Sequence, residues 1–144
     1  MLVSQILKSK PEDGVVTVPP GTTVAKLAEL LSERRIGAIV VSADGKTMQG
    51  IVSERDVVRE LGRRGAGCLT EIVDNIMTVR VVTCLRSDRT TDVMQKMTDG
   101  RFRHMPVMEG DQLVGLVSIG DVVKARLSQL SMEKDALEGM IKGF

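Results

Sequence analysis

Two serine–aspartate pairs, Ser53 with Asp56 and Ser118 with Asp121, have the residue types and spacing best suited to holding a ligand. Each pair follows a glycine and two apolar residues, in the pattern Gly-h-h-Ser-x-x-Asp, where h is apolar. A serine that begins a helix lies where unpaired backbone N–H groups and the helix dipole favour an anion such as phosphate. An aspartate three residues later lies one helical turn away and could accept two hydroxyl groups at once. The pattern therefore predicts a site for a ligand with both phosphate and hydroxyl groups.

The same spacing has a purely structural interpretation. Ser-x-x-Asp at the start of a helix is a variant of the capping box, which satisfies the first N–H groups without any ligand. One such motif would favour the capping interpretation, because caps are common. Two copies in equivalent contexts favour the ligand site, and both interpretations stay open from the sequence.

An internal repeat covers most of the chain. The segment from Gly50 to Asp56 recurs from Gly115 to Asp121, each followed by Val-Val, and residues 15–17 match residues 81–83. The apolar segment that starts at Gly37 aligns with the one that starts at His104. Self-similarity of this kind indicates two copies of one structural unit. The sequence predicts an α+β fold with the order β-α-β-β-α, twice.

Within each copy, periodicity and turn residues predict the individual elements. Short strands are expected at 15–18 and 81–83, and Gly-containing hairpin turns at 43–46 and 109–111. Apolar residues at helical spacing predict a helix after each short strand, and closing helices should begin at Ser53 and Ser118. The helical apolar positions are Val24, Leu27, Leu30 and Leu31 in the first copy, and Val93, Met94 and Met97 in the second. Candidate N-caps are Thr22 or Thr23, and Asp88 or Thr90.

The connecting and terminal segments complete the expected organisation. Glycine-rich residues 61–67 predict a mobile surface loop, followed by a short helix at 70–76 capped by Thr70 and matched by another at 3–8. The expected domains are a first module at 1–62, a linker at 63–69, a second module at 70–127 and a helical extension at 128–144. Apolar residues left over on the long C-terminal helix favour a partner surface, and a homodimer is expected.

The duplicated motif resembles the signature of the cystathionine-β-synthase (CBS) domain family, and the chain looks like the stand-alone bacterial pairs of that family. The resemblance spans residues 2–130 and includes 76–78 and 103–107. It implies two modules packed through their sheets with pseudo-two-fold symmetry, and an adenine nucleotide (AMP, ADP, ATP or NAD(H)) in the clefts between them. By this resemblance, Ser53 and Ser118 would meet phosphate, and Asp56 and Asp121 would meet ribose.

Further ligand contacts follow from the same resemblance. Arg55, Arg103 and His104 are candidate phosphate partners, since arginine offers a planar fork of donors; His104 could equally be a packed structural residue. Arg34, Arg35, Arg63 and Arg64 are interpreted as solvated charges. The base would lie in an apolar slot formed by Thr17, Val18, Pro20, Gly37, Ala38, Thr83, Leu85, Met105 and Pro106.

Composition argues against several other functions. A net charge of +1, two phenylalanines and no tryptophan or tyrosine disfavour nucleic-acid binding. One histidine and two distant cysteines leave no constellation for catalysis or a metal, so we expect neither an enzyme nor an obligatory cofactor. The sequence contains no run of about 18 apolar residues, the length that would be needed to span a membrane. The cysteine content fits the reducing cytoplasm. The expected function is a regulatory sensor with an unidentified protein target; the alternative is a ligand-free structural or interaction dimer with the same fold.

Overall fold

Two related repeats, each with a helix, two antiparallel strands and a closing helix, make up most of the computed structural model, which describes residues 1–10 and 14–143. The predicted α+β class is confirmed, and the predicted order β-α-β-β-α is complete in the first repeat, whereas the second repeat lacks its first strand. The first repeat contains β1 (Thr17–Val18), α2 (Val24–Arg34), β2 (Ala38–Val41), β3 (Gly50–Ser53) and α3 (Glu54–Arg64), preceded by α1 (Val3–Ser9). The second contains α4 (Thr90–Gly100), β4 (His104–Glu109), β5 (Gln112–Ser118) and α5 (Ile119–Ile141).

The first repeat is a three-stranded sheet covered by helices. Strand β1 pairs in parallel with β2, and β2 pairs antiparallel with β3, so that Ala38 lies opposite Ser53. The Thr23 side chain accepts a hydrogen bond from the Lys26 N–H and begins α2, as one of the two predicted caps. The helix buries Val24, Leu27 and Leu31, the face that the periodicity predicted.

The second repeat differs at its start. The strand expected at 81–83 is replaced by a single parallel bridge between Cys84 and Val107. The chain therefore pairs with β4 at one residue only, just after the predicted strand. The residue that caps α4 is Arg89, and neither Asp88 nor Thr90 is the cap. The Asp88 carboxylate instead accepts a hydrogen bond from the Leu85 N–H and closes the preceding turn, which takes it away from the helix.

Each repeat completes its core with the segment that leads into the other one. Val3 and Ile6 of α1 are buried among the residues of the second repeat. Val73 and Ile76, which precede the second repeat along the chain, are buried in the core of the first. The two halves are therefore joined by exchanged segments as well as by direct packing.

The sheets of the two repeats face each other across a shared apolar layer. Ala38, Val40 and Ile51 of the first repeat form one buried cluster with Leu113 of the second. The Leu113 N–H also donates to the Lys46 carbonyl at 2.7 Å, which ties the two hairpins together. The predicted packing of the repeats through their sheets is confirmed.

The connection between the repeats is more regular than its glycines suggested. Helix α3 continues to Arg64, and a 3₁₀ helix spans Gly65–Thr70, so the expected loop at 61–67 is wrong. Cys68 is buried within this segment and anchors it to the core, which composition alone did not show. The helix expected at 70–76 is reduced to a 3₁₀ turn at Val73–Asn75, and the Thr70 hydroxyl donates backwards to the Gly67 carbonyl rather than capping it.

The closing helix α5 is the longest element, with 23 residues. Its first turns bury Val122 and Ala125 against the second repeat. Beyond them the apolar side chains are exposed, Leu127 by 63% and Met140 by 75%. Within the part of the chain that the structure describes, no helix is both long and apolar enough to cross a bilayer.

Candidate functional site

A cleft opens between the repeats at the start of α3. It encloses about 850 Å³ of empty volume, its open mouth included. The cleft brings together six residues predicted from the sequence: Gly37, Ser53, Arg55, Asp56, Arg103 and His104. We call it the first cleft. Its remaining lining consists of Ile51, Glu54, Arg59, Thr78, Arg80, Val81, Val82, Arg101 and Phe102.

Ser53 and Asp56 form a reciprocal cap at the start of α3. The Ser53 N–H donates to the Asp56 carboxylate at 2.8 Å, and the Asp56 N–H donates to the Ser53 hydroxyl at 3.3 Å. The second carboxylate oxygen of Asp56 is paired with the Arg59 guanidinium, one turn further along the helix. These two hydrogen bonds confirm that the motif forms a capping box. A ribose could reach Asp56 only if Arg59, whose side chain is 57% exposed, moved aside.

The second motif has the same cap but a different cation. The Ser118 N–H donates to Asp121 at 2.9 Å, and the Asp121 N–H donates to the Ser118 hydroxyl at 3.1 Å. The Lys10 ammonium lies 2.8 Å from the Asp121 carboxylate and donates to the Leu116 carbonyl as well. Burial acts to raise the pKa of Asp121, but the hydrogen bonds from Lys10 and Ser118 outweigh it and hold the pKa below its ordinary value.

The two carboxylates thus differ in what must move before a ligand can use them. Arg59 is a neighbour of Asp56 on the same helix, and its guanidinium has no other hydrogen bond or ion pair among the described residues. Lys10 comes from the N-terminal segment, more than a hundred residues away in sequence. Releasing Asp121 therefore means breaking a contact of that segment, together with the hydrogen bond from Lys10 to the Leu116 carbonyl.

His104 lies against Gly37 where the repeats meet. A Cβ atom on Gly37 would come within 2.8 Å of the His104 ring, so only glycine allows this approach. Burial lowers the pKa of His104, with Glu54 and Asp121 acting in the opposite direction and Lys10 and Arg103 adding to the decrease. Strand pairing places His104 opposite Ser118 and Ala38 opposite Ser53. His104 is therefore equivalent to Ala38, and the sequence alignment of Gly37 with His104 is off by one residue.

The residues predicted for the base slot are mostly elsewhere. Gly37 is the one that lines the first cleft. Val18, Ala38, Met105 and Pro106 are buried, Leu85 is 51% exposed, and Thr17, Pro20 and Thr83 are half-buried outside the lining of this cleft. A contact between these residues and a ligand stays a prediction. The apolar wall of the first cleft is supplied instead by Ile51, Val81, Val82 and Phe102.

Sequence reasoning missed several charged residues of the two motifs. Arg59 could have been found, because it lies three residues after Asp56 on a predicted helix. Arg80 and Arg101 enter the first cleft from segments whose path depends on how the repeats pack. Lys10 likewise reaches Asp121 through a contact that no local pattern encodes. The part of the chain that the structure describes contains no cluster of His, Cys, Asp and Glu able to hold a metal ion.

Comparisons with known proteins agree with this architecture. The CBS domain family matches residues 3–63 and 73–128. The mitochondrial CBS domain-containing protein CBSX3 of Arabidopsis thaliana is 32% identical over 98% of this chain and 72% of its own length. The crystal structure of a CBS-domain protein from Agrobacterium tumefaciens superimposes with a TM-score of 0.83 at 43% identity, covering 88% of this chain and 99% of that one.

A second similar structure contains a ligand. It is a CBS domain protein from Pyrobaculum aerophilum complexed with AMP, with a TM-score of 0.76 and 26% identity over 92% of this chain and 99% of that one. Two family matches over most of the chain, the duplicated fold and the paired Gly-h-h-Ser-x-x-Asp motifs lead to one conclusion: this chain belongs to the CBS domain family and is a tandem pair of CBS domains.

Proposed function

We propose that the chain is a non-catalytic regulatory module that binds an adenine nucleotide in the first cleft. The observation that carries the proposal is the convergence there of a capped helix start, the Asp56 carboxylate, an apolar wall and arginines that have no ion-pair partner among the described residues. These are the groups that phosphate, ribose and a base require. The AMP found in the Pyrobaculum protein supports the same ligand class.

Each part of a nucleotide has a partner in this cleft. The helix start and the arginines favour the phosphate. Asp56 accepts the ribose hydroxyls once Arg59 has moved to the phosphate, where its charge is still paired. Phe102 and Val82 offer the base an apolar surface. Binding would favour the arrangement of the repeats that closes the cleft, and a protein target would respond to that arrangement. The ligand can shift it only by its differential affinity for the two states.

We also propose that the molecule is a homodimer and acts in the cytoplasm. A second copy is the partner that best fits the exposed apolar residues, because Val58 and Val123 occupy equivalent positions in the two motif helices and both are exposed. A surface present in both repeats suits a two-fold interface, in which the same patch occurs on both sides. Cys68 and Cys84 are buried free thiols, which is consistent with a reducing compartment.

Thermal unfolding in the presence of AMP, ADP, ATP, NAD or NADH tests the nucleotide proposal. A ligand at a hundredfold excess over its dissociation constant should stabilise the fold by about 2.7 kcal/mol. Asp56→Asn keeps an oxygen for the cap but weakens the acceptor for ribose, so it should reduce the shift. Asp121→Asn is the matched change in the other repeat and should leave the shift intact. If no adenine compound shifts the transition, the proposal is wrong.

A second candidate function is a ligand-free interaction module. The observation in its favour is that both aspartates are already satisfied, Asp56 by Arg59 and Asp121 by Lys10. In that case Asp56→Asn and Asp121→Asn would change only local stability, and the nucleotide panel would be flat. The cluster of arginines that lines the first cleft makes the nucleotide site the better supported of the two.

A further inference from the structure

The first cleft holds more positive charge than the chain as a whole would suggest. Its lining includes five arginines and only two carboxylates, Glu54 and Asp56, whereas the net charge of the whole sequence is +1. The arginines come from three separate places: α3, the segment before the second repeat, and the turn from α4 to β4. They are Arg55, Arg59, Arg80, Arg101 and Arg103.

Four of these five guanidinium groups have no ion-pair partner among the described residues. Arg59 is paired with Asp56. Among residues 1–10 and 14–143, no carboxylate lies within ion-pair distance of Arg55, Arg80, Arg101 or Arg103. The Arg55 guanidinium makes one long hydrogen bond, 3.4 Å, to the Arg101 carbonyl. Like charges gathered in a partly enclosed cleft repel one another, so this arrangement is suited to a ligand of high negative charge.

One phosphate group cannot pair with all the arginines of the first cleft. A phosphate accepts bidentate hydrogen bonds from one or two guanidinium groups. The start of α3 and Arg55 already supply donors for one phosphate. Arg80 and Arg101 approach from other segments and would be left facing water or each other. A chain of two or three phosphates carries more charge and more oxygen atoms, which the additional guanidinium groups can bind.

We infer that the first cleft selects adenine nucleotides with two or more phosphate groups, and that Arg80 and Arg101 are the residues that make this selection. The inference rests on the proposed nucleotide-binding function and adds its ligand class. Neutral adenosine gains nothing from the arginines, and S-adenosylmethionine, which carries a sulfonium cation, is repelled by them. AMP binds, but it leaves the outer arginines unused.

Isothermal titration with adenosine, AMP, ADP, ATP and S-adenosylmethionine tests this at one fixed salt concentration. ADP or ATP should bind about tenfold more tightly than AMP or better, the ratio expected for one or two additional charge-assisted hydrogen bonds. Arg80→Ala and Arg101→Asn should bring that ratio below about threefold and change AMP affinity little. Asparagine is chosen because Arg101 has a left-handed backbone, with φ at 56°, which asparagine tolerates.

Arg35→Asn is the matched control. Arg35 ends α2 as Arg101 ends α4, with the same left-handed conformation, φ 53°, but it does not line the first cleft. The variant should keep the full preference for ADP or ATP. If AMP and ATP bind equally to the wild type, or if Arg35→Asn alone removes the preference, the inference is overturned while the proposed function stands. If adenosine, AMP, ADP and ATP all fail to bind, the proposed function itself is overturned.

Discussion

Gly50 and Gly115 show why the repeated motif begins with glycine. A Cβ atom on Gly50 would lie 2.7 Å from the Met77 sulfur and 2.9 Å from the Thr78 carbonyl oxygen. A Cβ atom on Gly115 would lie 2.7 Å from a methyl carbon of Leu7. In both repeats the segment exchanged between the halves packs directly on the motif glycine. The glycine therefore has a packing role that is independent of any ligand.

We expect Gly50→Ala to lower the free energy of unfolding by about 1–3 kcal/mol, the usual cost of overpacking. Gly115→Ala should cost less, because the end of the Leu7 side chain can rotate away whereas the Thr78 backbone cannot. Urea denaturation measures both. Gly62→Ala is the control: Gly62 is helical with open space around it, so alanine there should be neutral or stabilising. A Gly50→Ala protein as stable as the wild type would contradict the close approach.

The ion pair between Lys10 and Asp121 predicts a pH-dependent contribution to stability. Because the folded-state pKa of Asp121 is lowered, the contact stabilises the fold above about pH 4 and loses its effect as the pH falls through that pKa. Lys10→Met should therefore be less stable than the wild type at pH 7, and the difference should shrink towards about pH 3. Lys8→Met, a change at an exposed neighbouring lysine, should show no such trend. Urea denaturation at several pH values compares the three proteins, and an equal difference at both ends of the range would contradict the pairing.

The elements that sequence predicted correctly are those with a local cause. The apolar face of α2 and its Thr23 cap follow from spacing alone, as do the capped starts of α3 and α5 at Ser53 and Ser118. The predictions were wrong where a contact between residues distant in sequence determines the local structure. Cys68 reaches the core and orders the glycine-rich connection, and Asp88 caps a turn instead of α4.

The residues of the candidate site also fall into two groups, those that local sequence identifies and those that long-range packing places. The serine–aspartate pairs, Arg55 and Arg103 could be identified because a motif or its neighbours mark them. Arg80 and Arg101 could not, since their place in the first cleft depends on how the segment before the second repeat and the α4–β4 turn pack against α3. Lys10 at Asp121 has the same origin. Long-range packing therefore determines which charges a ligand would meet.

The exposed stripe of α5 predicts a dimer that a single charge should disrupt. Leu127 is 63% exposed on a helix whose preceding turns are packed, so a second copy would bury it. Leu127→Glu should shift the molar mass from twice the chain mass of 15.6 kDa towards the monomer, without changing helical content. Light scattering after size exclusion measures the mass. Ser128→Glu adds the same charge at the adjacent exposed position and should remain dimeric. A monomeric wild type would contradict the dimer proposal.

At the scale of the whole molecule, the exchanged segments connect the two motifs. Lys10 follows α1, which packs in the second repeat, and the segment at 76–78 packs on the first. Thr78 exchanges two backbone hydrogen bonds with Ile51 at the edge of the first cleft. A ligand that moves either segment thus acts on both halves. His104 lies at their meeting point, influenced by Glu54 on one side and by Asp121 and Lys10 on the other.

If the first cleft binds a nucleotide as proposed, His104 should make that binding dependent on pH. Burial holds its pKa below the ordinary value, so the free protein carries a neutral imidazole at neutral pH. A phosphate in the first cleft, which His104 lines, would raise that pKa, and binding would then take up a proton. Affinity should accordingly increase as the pH falls from about 8 to about 6, up to about tenfold for each unit by which the phosphate raises the pKa.

Titration calorimetry of ADP across this pH range checks the dependence, and repeating it in buffers of different ionisation enthalpy counts the protons taken up. His104→Gln keeps a polar side chain that cannot gain a charge, so its affinity should stay level or decrease as the pH falls. Such a decrease has its own cause, because the terminal phosphate of the ligand loses charge near pH 6. Since that loss opposes the effect of His104, the difference between wild type and variant isolates the imidazole. Identical pH profiles for the two proteins would show that His104 is a packing residue beside Gly37 and takes no part in binding the phosphate.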